Sequence, residues 1–273
     1  MPTDVPNDMV TVRRSDNGVA TITLNRPDAM NTLNADLVRA LLAAFAEIGA
    51  DRRVRVVVLT ATGRAFCAGL DLGGYGDDAR ANEQGPMLST FTRQRELASV
   101  VQAIRALPQP VIAAVNGAAA GGGLALVCAA DIRIAVSTAV FAVGFIRAGF
   151  SACDIGISWL LPRLMGAGRA HELMLTGRRF DAAEALVGGL LSRVVEPDDL
   201  HSAVDETVAH LLANPPASVE LTKAGMWIAL ETPAWNTSIE FENRQQMVSA
   251  MTEDRHEATA SFLERRPPVY RHR

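Results

Sequence analysis

The sequence has almost no lysine: of its 26 Lys and Arg residues, Lys223 alone is a lysine. Upstream of that position there is therefore no lysine for a Schiff base or a phosphate-binding P-loop. Motifs of other enzyme classes are also missing, since no GxGxxG fingerprint, GxSxG elbow or HExxH zinc motif occurs. A net charge of −4 argues against a broad nucleic-acid-binding face.

Cysteine and long apolar runs are scarce as well. The three cysteines are far apart and form no CxxC pair, and the five histidines follow no metal-ligand spacing. The polar start, Met1 to Met9, has neither a secretion nor a transit pattern, and no apolar run reaches the length of a membrane span. We therefore expect a cytoplasmic protein without a metal site, a membrane segment or a nucleic-acid partner.

Two glycine-rich turns carry most of the chemical information. They occupy residues 64–72 and 116–124, and each follows an apolar run that predicts a buried strand, Val54–Leu59 and Val111–Val115. Glycine leaves backbone N–H groups open to a ligand because it has no side chain in the way. Two such turns side by side could aim two N–H donors at one oxygen, which is the arrangement of an oxyanion hole.

The order of predicted elements indicates an α/β core followed by a helical C-terminal region. A hairpin is predicted around Ser15–Gly18, and Asn34 is placed to cap a helix that runs to about Gly49. The polar segment 77–85 is predicted to be a mobile loop. From Ser158 onward the periodicity is helical, and only Leu191–Val195 is predicted as a further strand.

Four sequence blocks resemble the crotonase, or enoyl-CoA hydratase/isomerase, superfamily: residues 24–31, 65–72, 114–123 and 175–185. The tail, residues 262–269, is also similar to the ending of that family. The resemblance implies a spiral of ββα units with a helical C-terminal region. It also implies an acyl-CoA substrate, no cofactor beyond the CoA moiety, and homotrimers that can pair into homohexamers. We accordingly expect an α/β spiral core over residues 1–200 and a helical trimerisation region over 201–273.

The resemblance assigns roles to individual positions. The oxyanion donors would be the backbone N–H groups of Leu70 and Gly122, acting on the thioester carbonyl of a bound acyl-CoA. A leucine can serve at the first position because only its backbone acts. The residues expected to contact the substrate are Arg26, Ala29, Ala68, Gly69, Asp71, Leu72, Ala118 and Gly121.

Two positions depart from the pattern of the family's hydratases. Those enzymes carry two glutamates, and the corresponding positions here are Ala125 and Phe145. Neither side chain can transfer a proton. Because hydration needs an activated water and a proton for the α-carbon, the two-glutamate hydratase mechanism is not predicted for this chain.

One acid remains near the second turn, since Asp154 is the single Asp or Glu in the segment 132–171. The block 149–156 resembles the segment that bears a catalytic aspartate in dienoyl-CoA isomerases and in CoA-thioester dehalogenases, although it is one residue longer. The helix histidine of the dehalogenases falls near Ala98. Asp154 could alternatively cap a helix that starts near Ile155.

We therefore expect an enzyme of this family that acts on an unsaturated acyl-CoA. The favoured reaction is double-bond isomerisation, with Asp154 as the acid and base and an enolate held by Leu70 and Gly122. One alternative is a hydratase or lyase that takes its acid from the loop that follows the first turn. The other is an acyl-CoA-binding protein without catalysis. The loop's candidate acids are Asp77, Asp78 and Glu83.

Overall fold

Two β-sheets form the centre of residues 9–272, the part of the chain that this computed structural model describes. The hairpin predicted near the start is confirmed. In chain order the strands of the described residues are β1 (Val10–Arg14), β2 (Val19–Leu24), β3 (Val56–Ala61), β4 (Ala65–Cys67), β5 (Val111–Val115), β6 (Ala118–Ala120), β7 (Ile132–Val136), β8 (Val140–Ala142), β9 (Arg179–Asp181) and β10 (Arg193–Val195).

Helices cover both sheets and make up the C-terminal part. Among residues 9–272, no helix has both the length and the apolar character needed to cross a bilayer. The N-terminal segment examined for targeting signals lies outside the described residues, except for Met9. The α-helices are α1 (Ala35–Ala50), α2 (Asp78–Gln84), α3 (Pro86–Ala106), α4 (Gly122–Ala129), α5 (Ile157–Met165), α6 (Ala167–Thr176), α7 (Ala182–Val187), α8 (Leu200–Leu212), α9 (Pro216–Glu231), α10 (Trp235–Ala250) and α11 (Glu253–Glu264).

The topology is a spiral in which the chain alternates between the two sheets. The larger sheet has the order β1-β2-β3-β5-β7-β10, and the smaller one has the order β4-β6-β8-β9. Three times a strand of the larger sheet is followed by one of the smaller sheet, as β3–β4, β5–β6 and β7–β8, before the chain enters a helix. This repeat confirms the predicted α/β fold of ββα units with a helical C-terminal region.

The regular elements follow from simple sequence features. Every residue of β5 is buried, as expected for a central parallel strand that is covered on both faces. Helix α1 begins as predicted, because the side chain of Asn34 accepts a hydrogen bond of 2.9 Å from the N–H of Leu37. Its residues Leu41, Phe45 and Ile48 recur at helical spacing and are buried in the core.

The prediction of a mobile loop over residues 77–85 is wrong, because α2 occupies most of that segment. No residue of α2 is buried, so hydrophobic periodicity could not reveal it. Ion pairs stabilise it instead. Arg80 contacts Asp77 at 2.6 Å and Glu96 of α3 at 2.5 Å, and Arg93 of α3 also pairs with Asp77 at 2.5 Å.

A second correction concerns β9, which the sequence did not predict as a strand. It has three residues and pairs antiparallel with β8, so that Phe180 lies opposite Phe141. The two rings stack with their centroids 5.5 Å apart. This cross-strand contact joins residues far apart in the sequence, and a three-residue strand offers too little alternation to be recognised.

The single lysine ties the C-terminal helices to the core. Lys223 of α9 pairs with Asp131 at 2.8 Å and donates to the carbonyl oxygen of Gln109 at 2.9 Å. The indole N–H of Trp227 donates to the other oxygen of Asp131 at 3.0 Å. Burial lowers the pKa of Lys223, while the neighbouring carboxylate acts in the opposite direction.

Two glycines near the ends of β6 contact the backbone at the ends of β4 so closely that no side chain would fit. A Cβ atom at Gly117 would lie 2.3 Å from the carbonyl oxygen of Arg64. A Cβ atom at Gly123 would lie 2.0 Å from the carbonyl oxygen of Cys67. The two glycine-rich turns are therefore neighbours at backbone contact, as the sequence predicted, although each contains a three-residue strand that it did not predict.

We expect Gly123→Ala to destabilise the fold by at least about 1–3 kcal/mol, because the clashing atom belongs to the backbone and cannot rotate away. Gly168→Ala in α6 is the matched control, since a Cβ there meets no atom within 4 Å and should stabilise the helix by up to about 1 kcal/mol. Urea unfolding of both variants measures the difference. Equal stability of Gly123→Ala and the parent chain would contradict the close contact.

Candidate active site

The first glycine-rich turn presents the N–H of Leu70. Leu70 forms an isolated parallel bridge with Leu33, in which the Leu33 N–H donates to the Gly69 carbonyl at 2.7 Å. The Asp71 N–H donates back to the Leu33 carbonyl at 3.0 Å. On the Leu70 side of this bridge, the hydrogen bonds to Leu33 are made by Gly69 and Asp71. The N–H of Leu70 itself therefore points away from Leu33. Within the described residues no acceptor pairs with the Leu70 N–H.

The second turn presents the N–H of Gly122, the first residue of α4. The first N–H groups of a helix have no acceptor within the helix. In the described part of the chain, the Gly122 N–H has no other acceptor. The Gly121 N–H is taken by the Ala142 carbonyl at 3.0 Å. A Cβ atom at Gly122 would lie 3.8 Å from the Cα atom of Gly69, so the two turns meet here. The helix N-terminus adds a partial positive charge.

Both free N–H groups belong to residues that line one cavity. Its lining within the described residues is apolar or glycine except for two side chains, Gln94 and Asp154. Asp154 is the single titratable group among them. The large apolar residues of the lining are Leu33, Leu70, Leu72, Leu97, Phe145, Phe150 and Ile155.

Asp154 is half-buried, and only one of its two carboxylate oxygens accepts hydrogen bonds from the described residues. Its Oδ1 atom accepts a hydrogen bond of 2.7 Å from the Ile155 N–H and a second from the side-chain amide of Gln94. Helix α5 starts at Ile157, and its N-cap, Gly156, makes no side-chain capping bond. The alternative in which the Asp154 side chain caps a helix is therefore wrong.

The backbone next to this carboxylate is strained. Ile155 has a φ of 34°, which is unfavourable for a β-branched residue and costs roughly 1–3 kcal/mol. Its Cδ1 atom would lie 3.6 Å from a Cβ atom at Gly122. The strained residue thus joins the carboxylate to the wall of the cavity beside the second N–H donor.

The family profile of enoyl-CoA hydratase/isomerase matches residues 14–273. This chain belongs to the enoyl-CoA hydratase/isomerase family. The match covers the two turns, the cavity and the C-terminal helices, so it confirms the resemblance seen in the four sequence blocks.

Individual relatives differ in the reaction that their names state. The chain is 40% identical over 253 residues to the probable enoyl-CoA hydratase EchA12 of Mycobacterium bovis, covering 92% of this chain and 89% of the relative. It is 34% identical over 254 residues to the 1,2-epoxyphenylacetyl-CoA isomerase of Escherichia coli, covering 93% and 95% of the two chains.

Solved structures show the same division between names. An enoyl-CoA hydratase from Bacillus anthracis superposes with a TM-score of 0.89 at 32% identity, covering 97% of this chain and 100% of that one. A monofunctional enoyl-CoA isomerase from Mycobacterium smegmatis superposes with a TM-score of 0.72 at 40% identity, covering 85% and 98%. The crotonase fold is thus confirmed, and both activities occur among similar chains.

The positions of the family's hydratase glutamates offer no acid in this chain. Ala125 is fully buried within α4. Phe145 lies on the cavity wall, with its ring 3.6 Å from the position of a Cβ at Gly121. The alternative acid Asp77 is held by Arg93 and Arg80; burial opposes its ionisation, but these hydrogen bonds prevail and lower its pKa. None of the three loop acids named above lines the cavity.

Cys67 lies at the end of β4 beside the cavity, where a thiol nucleophile would be conceivable. It is completely buried, and burial raises the pKa of its thiol to about 12. A neutral thiol is a poor nucleophile, so thiol chemistry is not supported. The described residues also contain no cluster of three or more His, Cys, Asp or Glu side chains that could hold a metal ion.

The predicted substrate-binding residues divide into two groups. Ala68, Gly69, Leu72 and Gly121 line the cavity, whereas Arg26, Ala29, Asp71 and Ala118 do not.

Arg26 and Asp71 pair with each other at 3.1 Å, and Arg26 also donates to the Thr32 carbonyl at 2.5 Å. Their observed contacts fasten the loop before α1 to the first turn. Whether they also touch CoA stays a prediction.

The sequence reasoning missed two residues at the candidate site. One is Gln94, whose helical spacing from the cavity residue Leu97 was the available signal. The other is Asn31, which is buried and has a φ of 55°. Its amide donates to the Thr62 and Ala65 carbonyls at 2.9 and 2.8 Å, so it connects the loop before α1 to the first turn.

We expect Gly122→Pro to reduce kcat by about 10²–10³-fold relative to Gly122→Ala, because proline removes the N–H donor. Both variants carry a Cβ that meets the flexible end of Leu33 at 2.7 Å, so alanine is the matched control. Proline is tolerated at the first position of a helix. Leu70→Ala keeps its N–H and should retain most activity. Equal turnover of the proline and alanine variants would refute the assignment of this donor.

Proposed function

We propose that this chain is an enoyl-CoA isomerase that moves the double bond of an unsaturated acyl-CoA, with Asp154 as its single acid and base. One observation carries the proposal. In the cavity onto which the Leu70 and Gly122 N–H groups open, Asp154 is the single titratable side chain among the described residues.

The reaction needs one proton carrier and one place for negative charge. The thioester carbonyl oxygen accepts hydrogen bonds from Leu70 and Gly122. Asp154 removes a proton from the carbon next to the double bond, and the electron pair delocalises onto that oxygen as a dienolate. The same carboxyl group then returns the proton at the other end of the conjugated system, which shifts the double bond and restores the carboxylate.

The cavity favours this chemistry over hydration. Adding water requires one group to activate the water and a proton source for the α-carbon, and each such group contributes about 10²–10⁴-fold. Ala125 and Phe145 supply neither. The name of the Mycobacterium smegmatis structure, a monofunctional enoyl-CoA isomerase, supports the proposal. The name of the Escherichia coli relative states the isomerisation of an epoxide, and the EchA12 relative is named a hydratase.

The proposal includes the surroundings of the reaction. The enzyme would use no cofactor beyond the CoA moiety of its substrate and would act in the cytoplasm. It would form a homotrimer or homohexamer through residues 201–273. Exposed apolar side chains support this interface: Met226, Trp235, Met247, Phe262 and Leu263 on the C-terminal helices, and Met251 directly after α10.

We expect Asp154→Asn to lower two rates by at least about 10²-fold, because the amide cannot carry the proton. They are the rate of isomerisation of a 3-enoyl-CoA and the rate of exchange of its α-proton in D₂O. Binding of the acyl-CoA, measured by calorimetry, should be retained. The parent enzyme should hydrate crotonyl-CoA only weakly. Retained exchange in Asp154→Asn would place the chemistry elsewhere, and rapid hydration by the parent enzyme would favour a hydratase.

We expect light scattering to give the mass of a trimer or hexamer for the parent chain. Met247→Glu combined with Met251→Glu should lower that mass, because charges would replace two exposed apolar contacts. Gln246→Glu, which adds a charge to the same helix at an exposed polar position, is the control. A monomeric parent chain would refute the proposed assembly.

A further inference from the structure

The two carboxylate oxygens of Asp154 differ in their hydrogen bonds. Oδ1 accepts both the Ile155 N–H, at 2.7 Å, and the side-chain amide N–H of Gln94. Oδ2 receives no hydrogen bond from any residue that the structure describes. Gln94 lies one helical turn before Leu97 on α3, so both face the cavity.

We propose that Gln94 is a positioning residue that keeps Oδ1 as a fixed acceptor and reserves Oδ2 for the transferred proton. The inference rests on the proposed function, since it concerns the atom through which Asp154 acts. In this assignment Oδ1 fixes the orientation of the carboxylate, and Oδ2 accepts and returns the proton.

The assignment is consistent in both protonation states. An ionised carboxylate accepts on both oxygens, and a protonated one with its hydrogen on Oδ2 still accepts on Oδ1. The bonds from Gln94 and Ile155 can therefore persist throughout the reaction. A C–H bond breaks while the Oδ2–H bond forms. That O–H bond then breaks as a C–H bond forms at the other carbon, with no rearrangement of the donors.

Helix α3 is fixed on both sides of Gln94. Arg93 makes two hydrogen bonds to Asp77, at 2.5 and 3.1 Å, and Glu96 accepts one of 2.5 Å from Arg80. These contacts bind the segment around Gln94 to the start of α2. The amide of Gln94 is thus presented from an anchored backbone, although its own side chain is exposed to the cavity mouth.

The resemblance to the dehalogenase branch drew attention to a different position of α3. The histidine expected from that branch falls near Ala98, which does not line the cavity. Gln94, one turn before Ala98, lines the cavity and carries an amide that cannot act as a base. Its chemistry suits a hydrogen-bond donor to a carboxylate, not a second proton carrier.

The test compares Gln94→Met, which keeps the length of the side chain but removes the donor, with Gln102→Met. Gln102 is an exposed glutamine two turns further along α3 and does not line the cavity. We expect Gln94→Met to lower kcat by about 10–100-fold, the effect of one hydrogen bond to a charged group, with little change in KM. Gln94→Glu should be worse, because it places a second carboxylate against Asp154.

A deuterium label adds a measurement that a purely structural role would not affect. With substrate deuterated at the carbon that loses its proton, the fraction of label carried to the product should fall in Gln94→Met and stay unchanged in Gln102→Met. In an Asp154→Asn background, Gln94→Met should have no further effect on exchange.

The outcomes separate the two proposals. If Asp154→Asn abolishes exchange but Gln94→Met behaves like Gln102→Met in kcat and label retention, the positioning role is refuted and the proposed function stands. If Asp154→Asn retains exchange, the proposed function fails and the positioning role fails with it. Urea unfolding of each variant shows whether a loss of rate reflects loss of the fold.

Discussion

The close approach of two short parallel strands, β4 and β6, is the constraint on which the site depends. Carbonyl oxygens of Arg64 and Cys67 occupy the space that side chains at Gly117 and Gly123 would need. Because these contacts join backbone to backbone, no rotamer change can relax them. The two turns are held in one relative position, and the N–H groups of Leu70 and Gly122 are held with them. Two N–H donors fixed in this way would form an oxyanion hole that is rigid before any substrate arrives, which is the condition for electrostatic stabilisation without reorganisation.

A site made of backbone donors tolerates unusual side chains. Leu70 contributes an N–H that any residue except proline would provide, so the hole does not reveal which reaction follows. That choice depends on the acids around the cavity. Here the two glutamate positions are an alanine and a phenylalanine, and one aspartate faces an apolar lining. Under the proposed function, the same pair of donors would serve hydration or isomerisation, and the acid that remains beside the cavity would decide between them.

Sequence reasoning succeeded where local chemistry decides the structure. Valine and isoleucine runs predicted β3 and β5, and the capping side chain of Asn34 predicted the start of α1. It failed where distant contacts decide. Helix α2 is stabilised by ion pairs with α3, and β9 by pairing with β8. Neither carries an apolar period long enough to be seen in the sequence.

The candidate site shows the same division. That the two glycine-rich turns meet could be predicted because glycine spacing is a property of the chain itself, and Asp154 could be singled out because it is the one acid in the segment 132–171. The structure places Leu70, Gly122 and Asp154 on one cavity, and their catalytic roles stay predictions. The contact between Gln94 and Asp154 joins residues 60 positions apart, so only the fold reveals it. Asn31 and the Arg26–Asp71 pair likewise act between loops that the sequence separates.

Backbone strain in the segment before α5 is coupled to the orientation of Asp154. The sequence resemblance to dienoyl-CoA isomerases implies one additional residue between Gly149 and Asp154. The turn that follows takes left-handed backbone at Ile155 and Gly156, with φ values of 34° and 92°. That turn directs the Ile155 N–H onto the Asp154 carboxylate, and a hydrogen bond to a charged group contributes about 1.5–3 kcal/mol. This is close to the roughly 1–3 kcal/mol that the strained isoleucine costs. The Asp154 carboxylate therefore helps to stabilise the strained turn, and the turn orients the carboxylate. Asp154, which the sequence placed where it could cap a helix, faces the cavity instead.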